Sequence, residues 1–257
     1  MRQVSVTRYV TPLKEGGSLP AIVEADDDGL YVLKFRGAGQ GERALVAELI
    51  GGGIARALGL RMPEIVLVDV DPALASTEPD AEIQDLIRAS AGINLALDYL
   101  PGSLGFDPVV ADPDPDLASR IVWLDAYLCN VDRTARNTNL LTWHGDTWRI
   151  DHGAALYFHH GDAPFETRVA DPFPLIRDHV LLPCATSLAS VAPKLTERLD
   201  ADLIQAILAE IPDAWLQQPA YADAAGTRAG YVEFLIRRLD APQAFVQEAL
   251  DAIPAPV

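Results

Sequence analysis

The chain has 257 residues, of which 49% are hydrophobic, and its 20 lysines and arginines stand against 37 aspartates and glutamates, a formal net charge of −17. This length suits one large domain or two small lobes, and no apolar stretch reaches the roughly 18 residues of a membrane span. Since an acidic surface repels phosphate backbones, the charge disfavours an extended nucleic-acid interface.

The two cysteines indicate a reducing compartment. Cys129 and Cys184 lie far apart and form no CxxC pattern. We interpret them as reduced thiols, with a disulfide between them as the alternative. The N-terminal segment has no long apolar run of the kind found in secretory signals. Together these features predict a cytoplasmic protein.

Strand and helix patterns share the first part of the chain. The segments VSVTRYV, AIVEA and GLYVLKF are strand-like, and turn residues at 26–29 predict a hairpin between the last two. A helix pattern follows at 42–58, with Gly59 in the position of a C-cap. EIVLVDVD then predicts a buried strand, and we expect a short helix at 82–90 and a strand at 93–99.

A cluster of helix breakers, Leu-Pro-Gly-Ser at 100–103, marks the expected joint between two lobes. After it an amphipathic run at 117–128 predicts a helix, and two short strands around His144-Gly145-Asp146 predict a hairpin. Further helices are expected at 173–181, 187–191, 200–211, 228–239 and 242–252. The predicted fold class is α+β, with a β-rich first lobe (1–100) and a mostly helical second lobe (101–257). A pair of lobes creates a cleft, where small ligands bind.

The segments NVDRTARN and IDHG carry the most informative pattern in the chain. Asp132 and Asn137 lie five residues apart in a loop after a helix, and Asp151 follows the second hairpin strand. Their carboxylate and amide oxygens are hard ligands that suit Mg²⁺. A kinase uses one Asp near the acceptor hydroxyl, then an Asn and an Asp on the metal. The alternative is a polar loop whose Asp and Asn serve turns; the full set, with a hairpin between its halves, favours phosphoryl transfer.

A kinase also needs a lysine for the nucleotide phosphates. Lys34 lies in a strand between apolar residues, where a lysine is costly unless it is paired or bound to phosphate. Glu48, in the following helix, could pair with it as the kinase pattern requires, and Glu42 is a competing partner. The alternatives are a lysine that faces water from an edge strand and a solvated glutamate.

A glycine-containing segment lies between the first two predicted strands. Gly16, Gly17 and Ser18 could fold over the phosphates and contact them through backbone N–H groups. The segment is not a GxGxxG motif, and an ordinary loop is the alternative.

Lys34, the helix VAELIGGGIARALGL, NVDRTARN and IDHGAAL together resemble the HipA-like kinase family. This family is related to type II phosphatidylinositol 4-kinases and actin-fragmin kinase within the protein-kinase-like fold. The resemblance implies ATP and Mg²⁺ as cofactors, with Lys34 on the phosphates. It makes Asp132 the catalytic residue, and Asn137 and Asp151 the metal ligands.

The same resemblance implies a hinge for adenine and some departures from the family. The segment at 95–100 looks like the hinge that holds adenine by backbone hydrogen bonds, with Asp98, Tyr99 and Leu100 as the binding residues. Many relatives have His where this chain has Thr134, and the usual Phe of the Asp-Phe-Gly motif is His152. These departures bear on the substrate and the rate more than on the ATP site.

The resemblance implies transfer of the ATP γ-phosphate to a Ser/Thr hydroxyl of a protein, with an antitoxin-like protein as a further possible partner. A non-catalytic kinase-fold module that binds nucleotide or a partner is the alternative. A small-molecule kinase is a second alternative, for which His144-Gly145-Asp146 resembles the catalytic triplet of antibiotic kinases. Position 151 holds Asp instead of the Asn that this triplet requires.

Overall fold

The computed structural model describes residues 1–13, 19–111 and 113–254. The chain divides into two compact units. The first consists of Met1–Leu45 and Pro63–Gly102, and the second of Val46–Met62 and Ser103–Val257. The break after Gly102 falls within the cluster of helix breakers.

The first unit is built on a closed barrel of five strands in the order β1-β2-β3-β5-β4. The strands are β1 (Gln3–Pro12), β2 (Ala21–Ala25), β3 (Leu30–Lys34), β4 (Ile65–Val70) and β5 (Gly92–Asp98). Neighbours are antiparallel except for β1 and β4, which pair in parallel with Gln3 opposite Leu67 and close the barrel. Alternate residues of β2, namely Ala21, Val23 and Ala25, are buried in its core, as a period of two requires.

Two helices complete the elements that the sequence predicted before the breaker cluster. These are α1 (Gly41–Ala57) and α2 (Ala81–Ala89).

The C-cap prediction for Gly59 is confirmed, since its φ is +71°. The N–H of Leu60 donates to the carbonyl oxygen of Ala55, and that of Gly59 to Arg56, both at 2.9 Å. These two hydrogen bonds form a Schellman motif, which ends the helix sharply.

The described part of the second unit contains five further α-helices and a small sheet. The helices are α3 (Pro115–Tyr127), α4 (Leu188–Arg198), α5 (Ala201–Ala209), α6 (Ala224–Asp240) and α7 (Gln243–Ala252). The sheet has the order β6-β7-β8 and consists of β6 (Leu104–Gly105), β7 (Leu140–Trp143) and β8 (Asp146–Arg149). The predicted hairpin is confirmed: His144 and Gly145 both have positive φ, as the two-residue turn requires.

Two of the predicted helices differ from those observed. The segment 173–181 forms only a short 3-10 turn, Pro174–Asp178. The helix predicted at 187–191 continues to Arg198 through Pro193. Proline removes one helical hydrogen bond and usually ends a helix. Here the apolar face of α4 is buried on both sides of Pro193, at Val191 and Leu195, which offsets that loss. No helix in the described part of the chain is long and apolar enough to cross a membrane.

A buried arginine caps the end of α3. Arg238 on α6 is 0% exposed and donates to the carbonyl oxygens of Ala126 and Tyr127, at 3.3 and 3.0 Å. It also donates to the carbonyl oxygens of Val169 and Asp171. The last carbonyls of a helix have no partner within the helix. Arg238 satisfies that of Tyr127, and it adds a second bond to that of Ala126, which also accepts the N–H of Cys129 at 3.3 Å.

Arg238→Leu should lower the free energy of unfolding by about 2–4 kcal/mol, since each buried carbonyl left unpaired costs about 1 kcal/mol or more. Urea unfolding followed by circular dichroism measures the effect. Arg237→Leu is the matched control: Arg237 is exposed and pairs with Glu233 one turn away, so its loss should change stability by less than about 0.5 kcal/mol. Equal effects in the two variants would contradict the capping role.

Candidate active site

The end of α3 sets the position of the loop that carries Asp132. Cys129, a buried free cysteine, follows the helix with a φ of +52°. The N–H of Asn130 donates to the carbonyl oxygen of Asp125 at 2.8 Å. The chain therefore turns away from the helix axis at once, and the next residues form a loop that leads to β7.

Asp132 and Asn137 come together within this loop. Nδ2 of Asn137 donates to Oδ2 of Asp132 at 2.8 Å, and Nδ2 of Asn139 approaches the same oxygen at 3.3 Å. The N–H of Thr134 donates to the carbonyl oxygen of Asn137 at 2.9 Å, which closes the loop. The two side chains that the sequence placed in one space are thus in direct contact.

Asp151 is joined to the same loop through the backbone. The N–H of Ile150 donates to the carbonyl oxygen of Asn139 at 3.1 Å, which extends the pairing of β7 and β8 by one step. Asp151 has a φ of +54°, a conformation that costs free energy in a residue other than glycine. Its Oδ1 accepts the N–H of Gly153 at 3.2 Å. Asn139 therefore anchors both aspartates, Asp132 through its side chain and the Asp151 segment through its carbonyl.

A buried arginine holds these segments together. Nε of Arg133 donates to Oδ2 of Asp125 at 2.5 Å, and both side chains are 0% exposed. Nη1 of Arg133 donates to the carbonyl oxygens of Asn139 and Ile150. Arg133 thus connects α3, the end of the Asp132 loop and the residue before Asp151.

The carboxylate of Asp125 stays charged although it is buried. Burial by itself would raise its pKa, but the Arg133 guanidinium and the bond from His179 hold the pKa well below its usual value. The N–H of Leu181 donates to Nδ1 of His179, so the ring proton lies on Nε2, which is 3.0 Å from Oδ2 of Asp125. Burial lowers the pKa of His179, in keeping with a neutral ring. Asp125 and Arg133 are therefore the charged pair of this network.

A second buried network joins α1 to the Asp151 segment. Oε2 of Glu48 accepts the N–H of His152 at 2.8 Å, and Oε1 lies 3.4 Å from Nδ1 of the same residue. Nη2 of Arg149 lies 2.6 Å from Nε2 of His152. Burial lowers the pKa of Arg149 to about 9, which leaves it charged at neutral pH. Glu48 is 0% exposed, so the alternative of a solvated glutamate is wrong.

The side chains around Asp132 suit a hard divalent cation. Asn137 uses Nδ2 on Asp132, which leaves its Oδ1 available to a cation, and Asp151, just after β8, offers a further carboxylate. Asn137 is exposed and the two aspartates are half-buried, so a ligand can reach them. Across the described ranges no group of three or more His, Cys, Asp or Glu is arranged to hold a metal. A kinase site does not need one, because phosphates and water complete the coordination of Mg²⁺.

A model of the HipA-like kinase family matches residues 6–245 of the chain. The chain belongs to the HipA-like kinase family. The resemblance inferred from the sequence is thereby confirmed, and the family makes the protein a phosphotransferase. A search of curated proteins gave no match.

This HipA-like kinase is similar to two solved kinase structures. The crystal structure of the Helicobacter pylori proinflammatory kinase CtkA aligns with a TM-score of 0.56 and 14% identity over 98% of each chain. A structure of the Golgi casein kinase with Mn/ADP bound aligns with a TM-score of 0.49 and 11% identity, over 98% of this chain and 73% of that one. At such identities the likeness to CtkA shows the fold alone, and the predicted kinase-like α+β fold is confirmed.

The structure describes only some of the residues that were expected to contact the phosphates in this HipA-like kinase. Lys34 ends β3, opposite Leu95 of β5, and is partly buried. Its pairing with Glu48 stays a prediction, and the competing Glu42 lies 4.0 Å from Arg36. Three expected phosphate contacts lie outside the described residues: Gly16, Gly17 and Ser18.

The expected adenine hinge follows β5. The N–H of Asp98 donates to the carbonyl oxygen of Glu64 at 2.8 Å, and that of Tyr99 to Leu30 at 2.9 Å. Leu100 is buried. The two amides are bonded within the first unit, so a hinge role for this segment rests on its other backbone groups.

Sequence reasoning missed the buried residues that support the site. Arg149 and His179 follow no motif, and Asn139 reads as an ordinary loop residue. Asp125 gave a usable signal, because it stands alone as an acid within the apolar run of α3. A charged residue on a buried helix face requires a charged or hydrogen-bonding partner, and Arg133 follows shortly after it.

Proposed function

We propose that this HipA-like kinase transfers the γ-phosphate of ATP to a hydroxyl group, with Asp132 as the residue that accepts the hydroxyl proton. The contact between Asp132 and Asn137 carries the proposal. The amides of Asn137 and Asn139 both approach Oδ2 of Asp132, which leaves Oδ1 to face the acceptor. A fixed carboxylate within reach of the attacking hydroxyl is what a general base requires.

Asn137 and Asp151 would hold the divalent metal, which we propose to be Mg²⁺. Held by these residues, a divalent cation would supply the positive charge that offsets the negative charge of the phosphates. The chain contributes an amide oxygen at Asn137 and a carboxylate at Asp151, the ligand types that Mg²⁺ prefers. The hydrogen bonds on either side of Asp151, at Ile150 and Gly153, support this proposed role because they restrict the position of its carboxylate.

Lys34 would hold the phosphates of ATP. A lysine at the partly buried end of β3 gains more from an anionic ligand than one in open water does, because burial weakens solvent screening. Glu48 would steady it, and the hinge at Asp98, Tyr99 and Leu100 would hold adenine. These assignments rest on the family resemblance.

The acceptor that we propose is a Ser/Thr hydroxyl of a protein, again on the strength of the family. The formal net charge of −17 favours acceptors that carry positive charge. Binding of Mg²⁺-ATP without any transfer would instead make the protein a non-catalytic nucleotide-binding module.

Thermal unfolding with and without Mg²⁺-ATP tests the nucleotide site. A ligand that binds only the folded state stabilises it by about 2.7 kcal/mol at a hundredfold excess over its Kd. We expect a rise in the midpoint of the wild type and a smaller rise in Asp151→Asn, which removes one metal-binding charge.

Asp146→Asn serves as the control for this experiment. Asp146 lies in the neighbouring hairpin and forms a surface pair with Arg61 at 3.2 Å, so its variant should respond to Mg²⁺-ATP as the wild type does. No shift in the wild type at millimolar Mg²⁺-ATP would contradict the proposed nucleotide site. An equal shift in Asp151→Asn would contradict the role of Asp151.

A further inference from the structure

His152, the residue after Asp151, is enclosed by two elements of the second unit. Its ring is 0% exposed and lies between Glu48 of α1 and Arg149 of β8. It stands where the Asp-Phe-Gly motif of kinases has phenylalanine, yet both ring nitrogens have a charged neighbour. A phenylalanine would pack at this position but could not bond to either charge.

The surface of α1 is shaped to receive this ring. Gly51 follows Glu48 by one turn of the helix, so the two residues lie on one face. A Cβ atom added at Gly51 would lie 2.7 Å from Cβ of His152 and 2.9 Å from Cγ. Only glycine therefore allows the helix to approach the ring so closely. Gly53, two residues on, faces another side chain: its added Cβ would lie 2.6 Å from Ile207.

The hydrogen bonds define the tautomer of His152. A guanidinium only donates, so Nε2, at 2.6 Å from Nη2 of Arg149, must be the acceptor. The proton then lies on Nδ1, which faces Oε1 of Glu48. Burial and the nearby Arg149 both lower the pKa of His152, in agreement with a neutral ring. The ring thus links Arg149 to Glu48: Nε2 accepts a hydrogen bond from the guanidinium, and the N–H of Nδ1 points to the carboxylate.

The backbone of the same residue holds Asp151 in its unfavourable conformation. Asp151 has a φ of +54°, which costs about 1–3 kcal/mol in a non-glycine residue unless neighbours over-determine it. The N–H of His152 is bound by Glu48 at 2.8 Å, immediately after the strained residue. The direction of the Asp151 side chain therefore depends on where His152 is fixed.

We propose that His152 is a positioning residue that sets the metal-binding geometry of Asp151, through its contacts with Glu48, Gly51 and Arg149. This inference rests on the proposed function, in which Asp151 holds the metal. The partners of a ligating carboxylate tune metal affinity, and their loss typically costs about 10- to 100-fold. Changes at His152 or Gly51 should therefore weaken metal-dependent nucleotide binding, while the metal-free affinity for nucleotide changes little.

The test compares Gly51→Ala with Gly53→Ala. Both variants add one methyl group to α1 and both meet a neighbour at similar distance, but only the first displaces His152. Titration calorimetry gives the Kd for ADP without metal and with saturating Mn²⁺. The metal coupling is the Kd without metal divided by the Kd with Mn²⁺, and this quotient is the ratio compared among the variants. We expect Gly51→Ala to lower this ratio about tenfold or more. Gly53→Ala should leave the ratio within about twofold of the wild type, even if its thermal midpoint falls as much as that of Gly51→Ala.

Two substitutions of His152 itself complete the experiment. An asparagine amide can replace the Nδ1 donor toward Glu48, so His152→Asn should keep more of the ratio than His152→Phe, which offers no donor. His152→Asn also keeps the inference testable where a bulkier variant does not fold. This inference would be overturned, and the proposed function left standing, by an unchanged ratio in folded Gly51→Ala and His152→Asn. The same holds if Gly53→Ala lowers the ratio as much as Gly51→Ala does. A wild type whose ADP binding does not depend on Mn²⁺ would overturn the proposed metal site and this inference with it.

Discussion

Asp132→Asn should lower the rate of phosphoryl transfer by about 10²- to 10⁴-fold, the usual contribution of a general base. The asparagine keeps a carbonyl oxygen for the amides of Asn137 and Asn139, which both approach Oδ2 of the aspartate. The loop should therefore hold its shape and the affinity for Mg²⁺-ATP should stay within a few-fold of the wild type. The variant loses the negative charge of the carboxylate and with it the ability to accept a proton.

Release of labelled phosphate from γ-labelled ATP, and its transfer to the protein itself, measure the rate without a known acceptor. Asp132→Ala removes the hydrogen bonds as well as the base, and comparison of the two variants separates the roles. Equal losses indicate that proton acceptance dominates. A nearly active Asp132→Asn beside an inactive Asp132→Ala would mean that Asp132 orders the loop and that another group accepts the proton.

Most elements of this fold could be predicted because they have a local signal. The turn at His144 and Gly145 needs two residues with positive φ, and the sequence His-Gly between two short apolar runs is enough to indicate it. The parallel pairing of β1 with β4 has no such signal. The two strands are far apart in sequence and their register depends on the whole barrel, so the closure of the sheet was not predicted.

In the candidate site too, contacts between residues close in sequence could be predicted, and contacts between distant residues could not. The spacing of Asp132, Asn137 and Asp151 is visible in the sequence because a loop and a hairpin bring them together over a short length of chain. The contact between Glu48 and His152 joins residues 104 positions apart, and no periodicity reports it. Gly51 gave a partial signal, since glycine lowers helix stability by about 1 kcal/mol relative to alanine and its presence within α1 calls for a packing reason.

Arg133→Met should lower the free energy of unfolding by about 3–5 kcal/mol, the usual cost of removing one partner from a buried ion pair. Such a removal leaves the other charge without its counterion, and Asp125 would remain buried with the neutral donors Asn130 and His179 beside it. Urea unfolding measures the loss. Arg136→Met is the control, because Arg136 lies in the same loop and is exposed, so its variant should differ from the wild type by less than about 0.5 kcal/mol.

The double variant Asp125→Leu/Arg133→Met distinguishes the two roles of the ion pair. Since it buries no unpaired carboxylate, it should be more stable than the sum of the single variants predicts, by about 1–3 kcal/mol. Transfer activity should not return with stability, because Arg133 also binds the carbonyl oxygens of Asn139 and Ile150 and thereby holds the Asp132 loop against the residue before Asp151. Additive stabilities would contradict the coupling of the pair. Recovery of activity in the double variant would show that Arg133 supports the fold without positioning the site.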